Sequence, residues 1–182
     1  HFIYKDKEYK TSLCGEHQIY NALTVIETVK AVEINVPEEA IAQGIEETTI
    51  PARLEIISKK PLVVLDGAHN LNGGMALKGF LEKHKGSVAI IGMMADKDCE
   101  SFLKVTLPFI KKVITVTVEE NKRTMSAEGL KTLAEKYCED VKAAESYSQA
   151  IKEAAKEKTP IFVFGSLYLA GGLRDDLISS FK

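Results

Sequence analysis

The first fifty residues carry their apolar side chains at a helical spacing. Residues 16 to 30 place them at every third or fourth position, which is typical of one helix face. Pro37 and the two acidic residues after it suit the first turn of a second helix, which we expect to run to about Glu47. Charged and apolar residues mix in the opening residues, which indicates a strand or hairpin. Residues 1 to 48 are therefore predicted to form a strand–helix–helix unit, too small for a stable domain alone.

From residue 49 onward, short apolar runs alternate with helical spacings. Strands are predicted over residues 54–58, 61–65, 87–93, 112–118, 141–144 and 160–164. Helices are predicted around 75–81, over 98–107, from Ser126 to Tyr137, over 147–157, and after Ser166 to about Phe181. Strands separated by helices of this length imply right-handed crossovers. The predicted fold class for residues 49–182 is therefore α/β, a three-layer Rossmann-like and mostly parallel sheet with helices on both faces.

The stretch from Leu62 to Asn70 is the most informative part of the sequence. An unbroken apolar run, which suits a strand buried on both faces, leads directly into Asp66, a glycine, an alanine, His69 and an amide. Ligands bind beyond the carboxyl ends of parallel strands, where these polar residues fall. A second interpretation stays open, in which this is an ordinary strand-to-helix turn and Asp66 or Asn70 caps the next helix.

Two other predicted strands also end in polar residues. Residues 96–98, with the sequence Asp-Lys-Asp, follow one strand, and Gly165, Ser166 and Tyr168 follow the last. If these strands are parallel neighbours, all three polar groups emerge at one edge of the sheet, which indicates a ligand-facing rim. The Asp-Lys-Asp segment itself favours a structural role, as a helix N-cap and a salt-bridged turn.

Composition narrows the class of protein. The chain has 182 residues, 45% of them hydrophobic, with a formal net charge of −2 and a pI of about 6.1. There is no basic surplus for nucleic acid or anionic membranes, and no apolar run approaches the length of a membrane helix. The cysteines, odd in number and widely spaced, suit reduced cytosolic thiols better than disulfides or a zinc site. We therefore expect a cytoplasmic protein with no nucleic-acid or membrane partner.

Five short blocks resemble a known family. The sequence resembles the folylpolyglutamate synthases and dihydrofolate synthases of the Mur ligase superfamily in the blocks GEHQIYNA, PARLE, LDGAHN, GMMADKD and GSLYLAG, at residues 15–22, 51–55, 65–70, 92–98 and 165–171. Two positions depart from the family's pattern. Ala52 stands where glycine is usual, so that turn is expected to be slightly altered. Gly172 stands where an acid is common, which puts any role for that position in doubt.

The resemblance implies that the chain is only part of a ligase. The family's Gly-Thr-Asn-Gly-Lys-Gly-Ser phosphate loop is absent, and the resemblance places the magnesium ligands and most of the folate site in the same missing region. Residues 1–48 then correspond to the end of the central domain with its linker, and 49–182 to the carboxyl-terminal domain. On this interpretation the chain alone is inactive.

The resemblance also implies roles for individual residues. Such ligases use MgATP to phosphorylate a carboxylate, and the amine of L-glutamate then attacks the acyl phosphate. Asn21, Arg53 and Asp66 would contact ATP, and Arg53 can hold a phosphate oxygen with its two-donor fork. His69 and Ser166 would bind the incoming glutamate, with Arg53 and His69 acting in catalysis. The expected partners in a full-length, monomeric parent are ATP, glutamate, and folate or dihydropteroate.

Two other functions are typical of a sheet of this kind. The chain could be a non-catalytic Rossmann-like module for nucleotide binding or protein interaction that has kept the fold without the reaction. A dinucleotide-dependent oxidoreductase would share the sheet topology, but the Gly-x-Gly-x-x-Gly fingerprint does not occur. The sequence leaves open whether a ligase parent makes dihydrofolate, extends polyglutamate tails, or does both.

Overall fold

A computed structural model describes residues 1–32, 35–119 and 122–181. The chain divides into two compact units, His1–Arg53 and Leu54–Lys182, which are described separately below. No helix among the described residues is long and apolar enough to cross a membrane. The assignment of the first unit to the end of a larger central domain stays a prediction.

The first unit is a hairpin followed by two helices. Its elements are β1 (Phe2–Tyr4), β2 (Lys7–Tyr9), α1 (Glu16–Ala31) and α2 (Glu38–Glu47). The hairpin is antiparallel, with Phe2 opposite Tyr9. Tyr9 is buried with Ile26 of α1 and with Ile41 and Ile45 of α2, so one small core joins the three parts. The Tyr9 hydroxyl also donates a hydrogen bond to the Glu38 carboxylate at the start of α2.

The second unit alternates strands and helices as predicted. Its elements are β3 (Glu55–Lys59), β4 (Leu62–Leu65), α3 (Leu71–Glu82), β5 (Ser87–Ile91), α4 (Cys99–Thr106), β6 (Ile110–Val116), α5 (Ala127–Ala134), β7 (Asp140–Ala144), α6 (Tyr147–Ala155), β8 (Ile161–Phe164) and α7 (Leu167–Phe181). A short 3₁₀ turn, Leu107–Phe109, joins α4 to β6.

One six-stranded sheet organises the second unit, in the order β3-β4-β8-β5-β6-β7. Every neighbouring pair is parallel except β3 with β4. Helix α3 packs on α4, and α4 on α5, while α6 packs on α7. The chain crosses the sheet in opposite directions before and after β7, so right-handed crossovers put these two groups of helices on opposite faces. The predicted three-layer α/β fold is confirmed.

The central strands explain why the apolar runs are unbroken. All residues of β5 and β8 are buried, as expected for parallel strands covered by helices on both faces. The predicted bounds differ from the observed ones mainly at the ends. Strand β6 begins at Ile110 instead of 112 and ends at Val116. Helix α5 ends at Ala134, because the amides of Lys136 and Tyr137 bond three residues back and tighten the last turn.

Candidate functional site

The carboxyl ends of three adjacent strands meet at one edge of the sheet. Strands β4, β8 and β5 are parallel neighbours. The polar segments that follow them, residues 66–70, 165–168 and 92–98, therefore emerge together, as the sequence predicted. We call this edge the carboxyl edge.

Backbone hydrogen bonds hold two of these segments against each other. The amide of Asp66 donates to the carbonyl of Val163 at 2.8 Å, and the amide of Gly165 donates to the carbonyl of Ala68 at 2.8 Å. Gly165 has φ 114°, and a Cβ there would lie 2.8 Å from the carbonyl oxygen of Gly92. Only glycine fits this conformation and this close approach, so the end of β8 is closely flanked by both neighbouring segments.

The Asp66 carboxylate bridges two backbone segments at this edge, an arrangement that we call the Asp66 bracket. One carboxylate oxygen accepts from the backbone amide of Leu54 and the other from the amide of Ala68, both at 2.7 Å. Such charge-assisted bonds are stronger than those between neutral groups. Asp66 thus ties the start of the second unit to the end of β4. This bonding pattern is absent from the sequence-based interpretation, which gave Asp66 only a ligand or capping role.

His69 and Asn70 make further hydrogen bonds in the same turn. Nδ1 of His69 lies 2.8 Å from the carbonyl oxygen of Gly67. A carbonyl only accepts, so Nδ1 carries the proton and the neutral ring presents an unprotonated Nε2. Asn70 caps α3 by accepting from the amide of Gly73 at 2.9 Å. The capping alternative therefore holds for Asn70, and half-buried His69 keeps one ring nitrogen for a ligand.

Ser166 is 2% exposed, in contrast to its neighbours Leu167 and Tyr168. Its Oγ accepts a hydrogen bond from the backbone amide of Tyr168 at 3.0 Å. A hydroxyl that accepts this bond can still donate its own proton. Ser166 therefore offers one oriented donor at the carboxyl edge.

The Asp-Lys-Asp segment has the structural role that the sequence indicated. Asp98 caps α4, and its hydrogen bonds with the Ser101 hydroxyl and then with the Ser101 amide lower the pKa of the Asp98 carboxyl. Asp96 forms long ion pairs with Arg123 at 3.6 Å and with Lys97 at 4.0 Å.

The other predicted site residues belong to the first unit. Asn21 is exposed on α1, and its amide nitrogen donates to the side-chain oxygen of Gln18 at 3.0 Å. The nitrogen of the Gln18 amide lies 3.0 Å from Nε2 of His17. Gln18 is 4% exposed and links its two neighbours, a role that sequence reasoning missed. The feature of the sequence that could have identified Gln18 is its position inside the GEHQIYNA block.

Arg53 lies in a turn with unusual backbone angles. Ala52 has φ 57° and Leu54 has φ 47°, both in the left-handed region. This conformation costs an ordinary residue roughly 1–2 kcal/mol, so alanine occupies a position that suits glycine. The half-buried guanidinium makes one long contact, 3.4 Å, with the carbonyl of Ala52. Among the described residues, no carboxylate lies within 4.0 Å of it, so its charge is available for an anion.

Gly172, where the resembling family often has an acid, faces a tyrosine. A Cβ at this position in α7 would lie 2.8 Å from Cε2 of Tyr147. The Tyr147 hydroxyl accepts a hydrogen bond from the amide of Glu119 at 3.0 Å, which fixes the ring, and burial raises the pKa of this phenol. A side chain at position 172 therefore requires Tyr147 to move.

No metal site is visible in the part of the chain that the structure describes. Residues 1–32, 35–119 and 122–181 contain no group of three or more His, Cys, Asp or Glu side chains placed to hold a metal ion. The cysteines, Cys14, Cys99 and Cys138, are all free thiols.

Comparisons with known proteins point in the same direction as the motifs. The family model for the Mur ligase, glutamate ligase domain matches residues 52–167. The chain is 31% identical to the folylpolyglutamate synthase of Lacticaseibacillus casei over 190 residues, covering 97% of this chain and 43% of that protein. It spans less than half the length of such relatives.

Solved structures share the fold. A Mycobacterium tuberculosis folylpolyglutamate synthase complexed with ADP superposes with a TM-score of 0.82 at 27% identity, over 92% of this chain and 41% of that one. E. coli FolC in complex with DHPP and ADP gives a TM-score of 0.78 at 26% identity, over 88% and 39%. The family model, the relatives and the solved structures agree on one family. The chain belongs to the family of the Mur ligase, glutamate ligase domain.

Proposed function

We propose that this chain supplies ATP and glutamate contacts in an ATP-dependent ligase that adds L-glutamate to folate or dihydropteroate. The observation that carries the proposal is the hydrogen-bonded junction of residues 66–69 with Gly165 at the carboxyl edge. This junction presents the free ring nitrogen of His69 and the hydroxyl of Ser166 from adjoining segments. The similarity to folylpolyglutamate synthases, including one with ADP bound, supports the same reaction.

Arg53 would act on the phosphates of ATP. In the reaction, a substrate carboxylate attacks the terminal phosphorus of ATP, the bond from that phosphorus to the bridging oxygen breaks, ADP leaves, and an acyl phosphate forms. The later attack by the glutamate amine breaks the bond between the acyl carbon and the phosphate oxygen, and inorganic phosphate leaves. In the first of these steps, the negative charge on the transferred group is spread over its oxygens. A guanidinium without a carboxylate partner among the described residues can hold such an oxygen with two parallel N–H donors.

His69 and Ser166 would bind and activate the incoming glutamate. The amine must lose protons as it attacks the acyl phosphate, and the unprotonated Nε2 of His69 can accept one. Protonated, the same ring would attract a glutamate carboxylate. The Ser166 hydroxyl can donate to a carboxylate oxygen while the amide of Tyr168 holds its oxygen in place.

Asp66 and Asn21 would make secondary contacts with ATP. Each oxygen of a carboxylate can accept more than one bond, so Asp66 would accept from ribose hydroxyls or a base amine. Magnesium would accompany the phosphates and offset their charge. We assign it no ligand here, because the described residues form no such cluster. We also propose that the ligase acts as a monomer in the cytoplasm.

The kinetic test is Arg53→Ala in the complete ligase that carries this sequence. Removing a donor that stabilises developing charge should lower kcat about 10²–10³-fold. The thermal unfolding midpoint should stay close to that of the parent, because the Arg53 side chain makes one long hydrogen bond among the residues that the structure describes. Arg53→Lys, which keeps the charge without the fork, should recover part of the loss. Turnover within a few-fold of the parent together with a collapsed midpoint would make Arg53 a structural residue.

A binding test separates this proposal from the non-catalytic alternative. The 182-residue chain is titrated with the ATP analogue AMPPCP and with L-glutamate, while backbone amide shifts are followed by NMR. We expect dissociation constants of about 1 mM or weaker, with shifts centred on residues 66–69 and 165–168, and no phosphate release from ATP. D-glutamate serves as the control. Micromolar nucleotide binding by this chain alone would favour a self-sufficient binding module.

A further inference from the structure

A pocket lies at the edge of the sheet opposite the carboxyl edge, where β4 and β8 begin. We call this the amino edge. The pocket has a volume of about 540 Å³. It is lined by the turn between β3 and β4, the connection from α6 to β8, and the ends of α6 and α7. The lining residues that matter below are Lys59, Lys60, Leu62, Lys158, Thr159 and Phe181.

Three lysines surround this pocket without a counter-charge. Lys59, Lys60 and Lys158 are exposed, and none has a carboxylate within 4.0 Å among the residues that the structure describes. The nearest acid in sequence, Glu157, is committed elsewhere. One of its oxygens lies 3.2 Å from Nζ of Lys111 and the other 2.8 Å from Nζ of Lys112.

The negative ends of two helix dipoles offset only part of this positive charge. Helix α6 ends at Ala155 and α7 ends at Phe181, so two helix carboxyl termini lie beside the pocket. Each terminus carries about −0.5 of an elementary charge, so the two termini together offset the charge of roughly one lysine. An excess of about two positive charges remains for a ligand. In a chain whose net charge is −2, this is a local feature and not a reflection of the composition.

Thr159 adds a hydrogen-bonding group that lacks a partner. Its hydroxyl oxygen is buried and has no hydrogen-bond partner among the described residues. Buried polar groups are nearly always paired, so an unpaired one calls for an explanation. Thr159 also lines the pocket, so its hydroxyl is a candidate donor to a bound ligand. Lys158, at φ 53°, also occupies a conformation that glycine or asparagine adopts more readily, so turn geometry does not account for a lysine there.

We propose that this pocket binds a small multivalent anion. Lys59, Lys60 and Lys158 would pair with its carboxylate or phosphoryl groups, Thr159 would donate a hydrogen bond, and Leu62 and Phe181 would contact its apolar part. The pocket shares no residue with the carboxyl edge. The inference therefore stands or falls independently of the ligase proposal.

The test uses citrate and inorganic phosphate as probes, with acetate as the monovalent control, at constant ionic strength. Amide shifts of the 182-residue chain are followed by NMR. We expect saturable binding of citrate or phosphate with a dissociation constant near or below about 1 mM, with shifts confined to the amides of residues 59–62 and 158–161. Stronger binding of citrate identifies a polycarboxylate site, and stronger binding of phosphate a phosphoryl site. Shifts of equal size with acetate would overturn the proposal.

Matched variants decide whether the pocket itself is responsible. The double variant Lys60→Gln/Lys158→Gln should weaken binding about tenfold or more, because two of the three charges are lost. The control pair Lys104→Gln/Lys152→Gln removes the same charge from exposed positions outside the pocket and should change binding less than about twofold. Thr159→Val should weaken binding a few-fold. Equal losses in both double variants, or an unchanged affinity in the pocket variant, would overturn the site.

Discussion

Asp66→Asn separates a positioning role for Asp66 from a purely ligand-binding one. The carboxylate accepts two backbone N–H bonds, from Leu54 and Ala68, both at 2.7 Å. An asparagine keeps one acceptor oxygen but turns an NH₂ group toward the other amide. One hydrogen bond to a charged group is then lost, worth about 1.5–3 kcal/mol, and the other loses its charge assistance. Because Asp66 is only half-buried, we take a loss of about 2 kcal/mol in the free energy of unfolding.

The assay is thermal and urea unfolding of the parent and the variant. For a chain of this length, each kcal/mol shifts the unfolding midpoint by about 2–4 °C, so we expect a fall of roughly 4–8 °C. Asp96→Asn is the matched control, since that acid lies at the same edge and its ion pairs with described residues are long, and it should leave the midpoint nearly unchanged. If Asp66→Asn also leaves the midpoint within about 1 °C of the parent, the bracket contributes nothing to stability. Asp66 would then be a ligand contact alone.

Two further predictions concern α7 and α6. Gly171→Ala should stabilise the protein by about 0.5–1 kcal/mol, because a Cβ there meets nothing within 4 Å. Gly172→Ala should destabilise it by about 1–3 kcal/mol, because a Cβ there would lie 2.8 Å from Tyr147. Urea unfolding of both variants measures the two changes in stability, and changes of the same sign would refute the argument. Hydrogen bonds from three lysines, led by Lys156, lower the pKa of Glu153 from 4.5 to about 2, so its contribution to stability is present above 4.5 and is lost as the pH falls toward 2. Glu153→Gln should therefore lose less stability than the parent between about pH 5 and pH 3, and parallel losses in the two proteins would contradict this.

The strands of the second unit could be predicted because their burial is encoded locally. The runs that became β4 and β8 are apolar at successive positions, which suits a strand covered on both faces. Once those strands are parallel neighbours, the meeting of Asp66 and Ser166 at one edge follows from the direction of the chain. Periodicity and the crossover rule were therefore sufficient to place the carboxyl edge.

The side-chain contacts that the sequence did not predict join residues far apart in the chain. Lys112 has a side chain only 4% exposed within β6, and Glu153 and Glu157 of the α6 region neutralise it at 3.2 and 2.8 Å. Nothing near Lys112 in the sequence indicates which acids neutralise a lysine buried there. The predicted strand already began at Lys112, so it missed only Ile110 and Lys111. The Asp66 bracket is similar, since its partner Leu54 is twelve residues away and is identified only by the position of the folded backbone.

The GSLYLAG block shows that a family motif combines two kinds of requirement. Gly165 is needed for the close approach to Gly92, and Leu169 is fully buried in the core, so both serve the fold. Ser166 and Tyr168 are different, because one has a buried hydroxyl with a proton to donate and the other is a tyrosine that is 56% exposed. A substitution at Gly165 should therefore damage folding and ligand contacts together, whereas Ser166→Ala should lose ligand contacts and, from the fold, only the hydrogen bond from the Tyr168 amide. Matching the whole block identifies the family, but only its polar members carry an argument about chemistry.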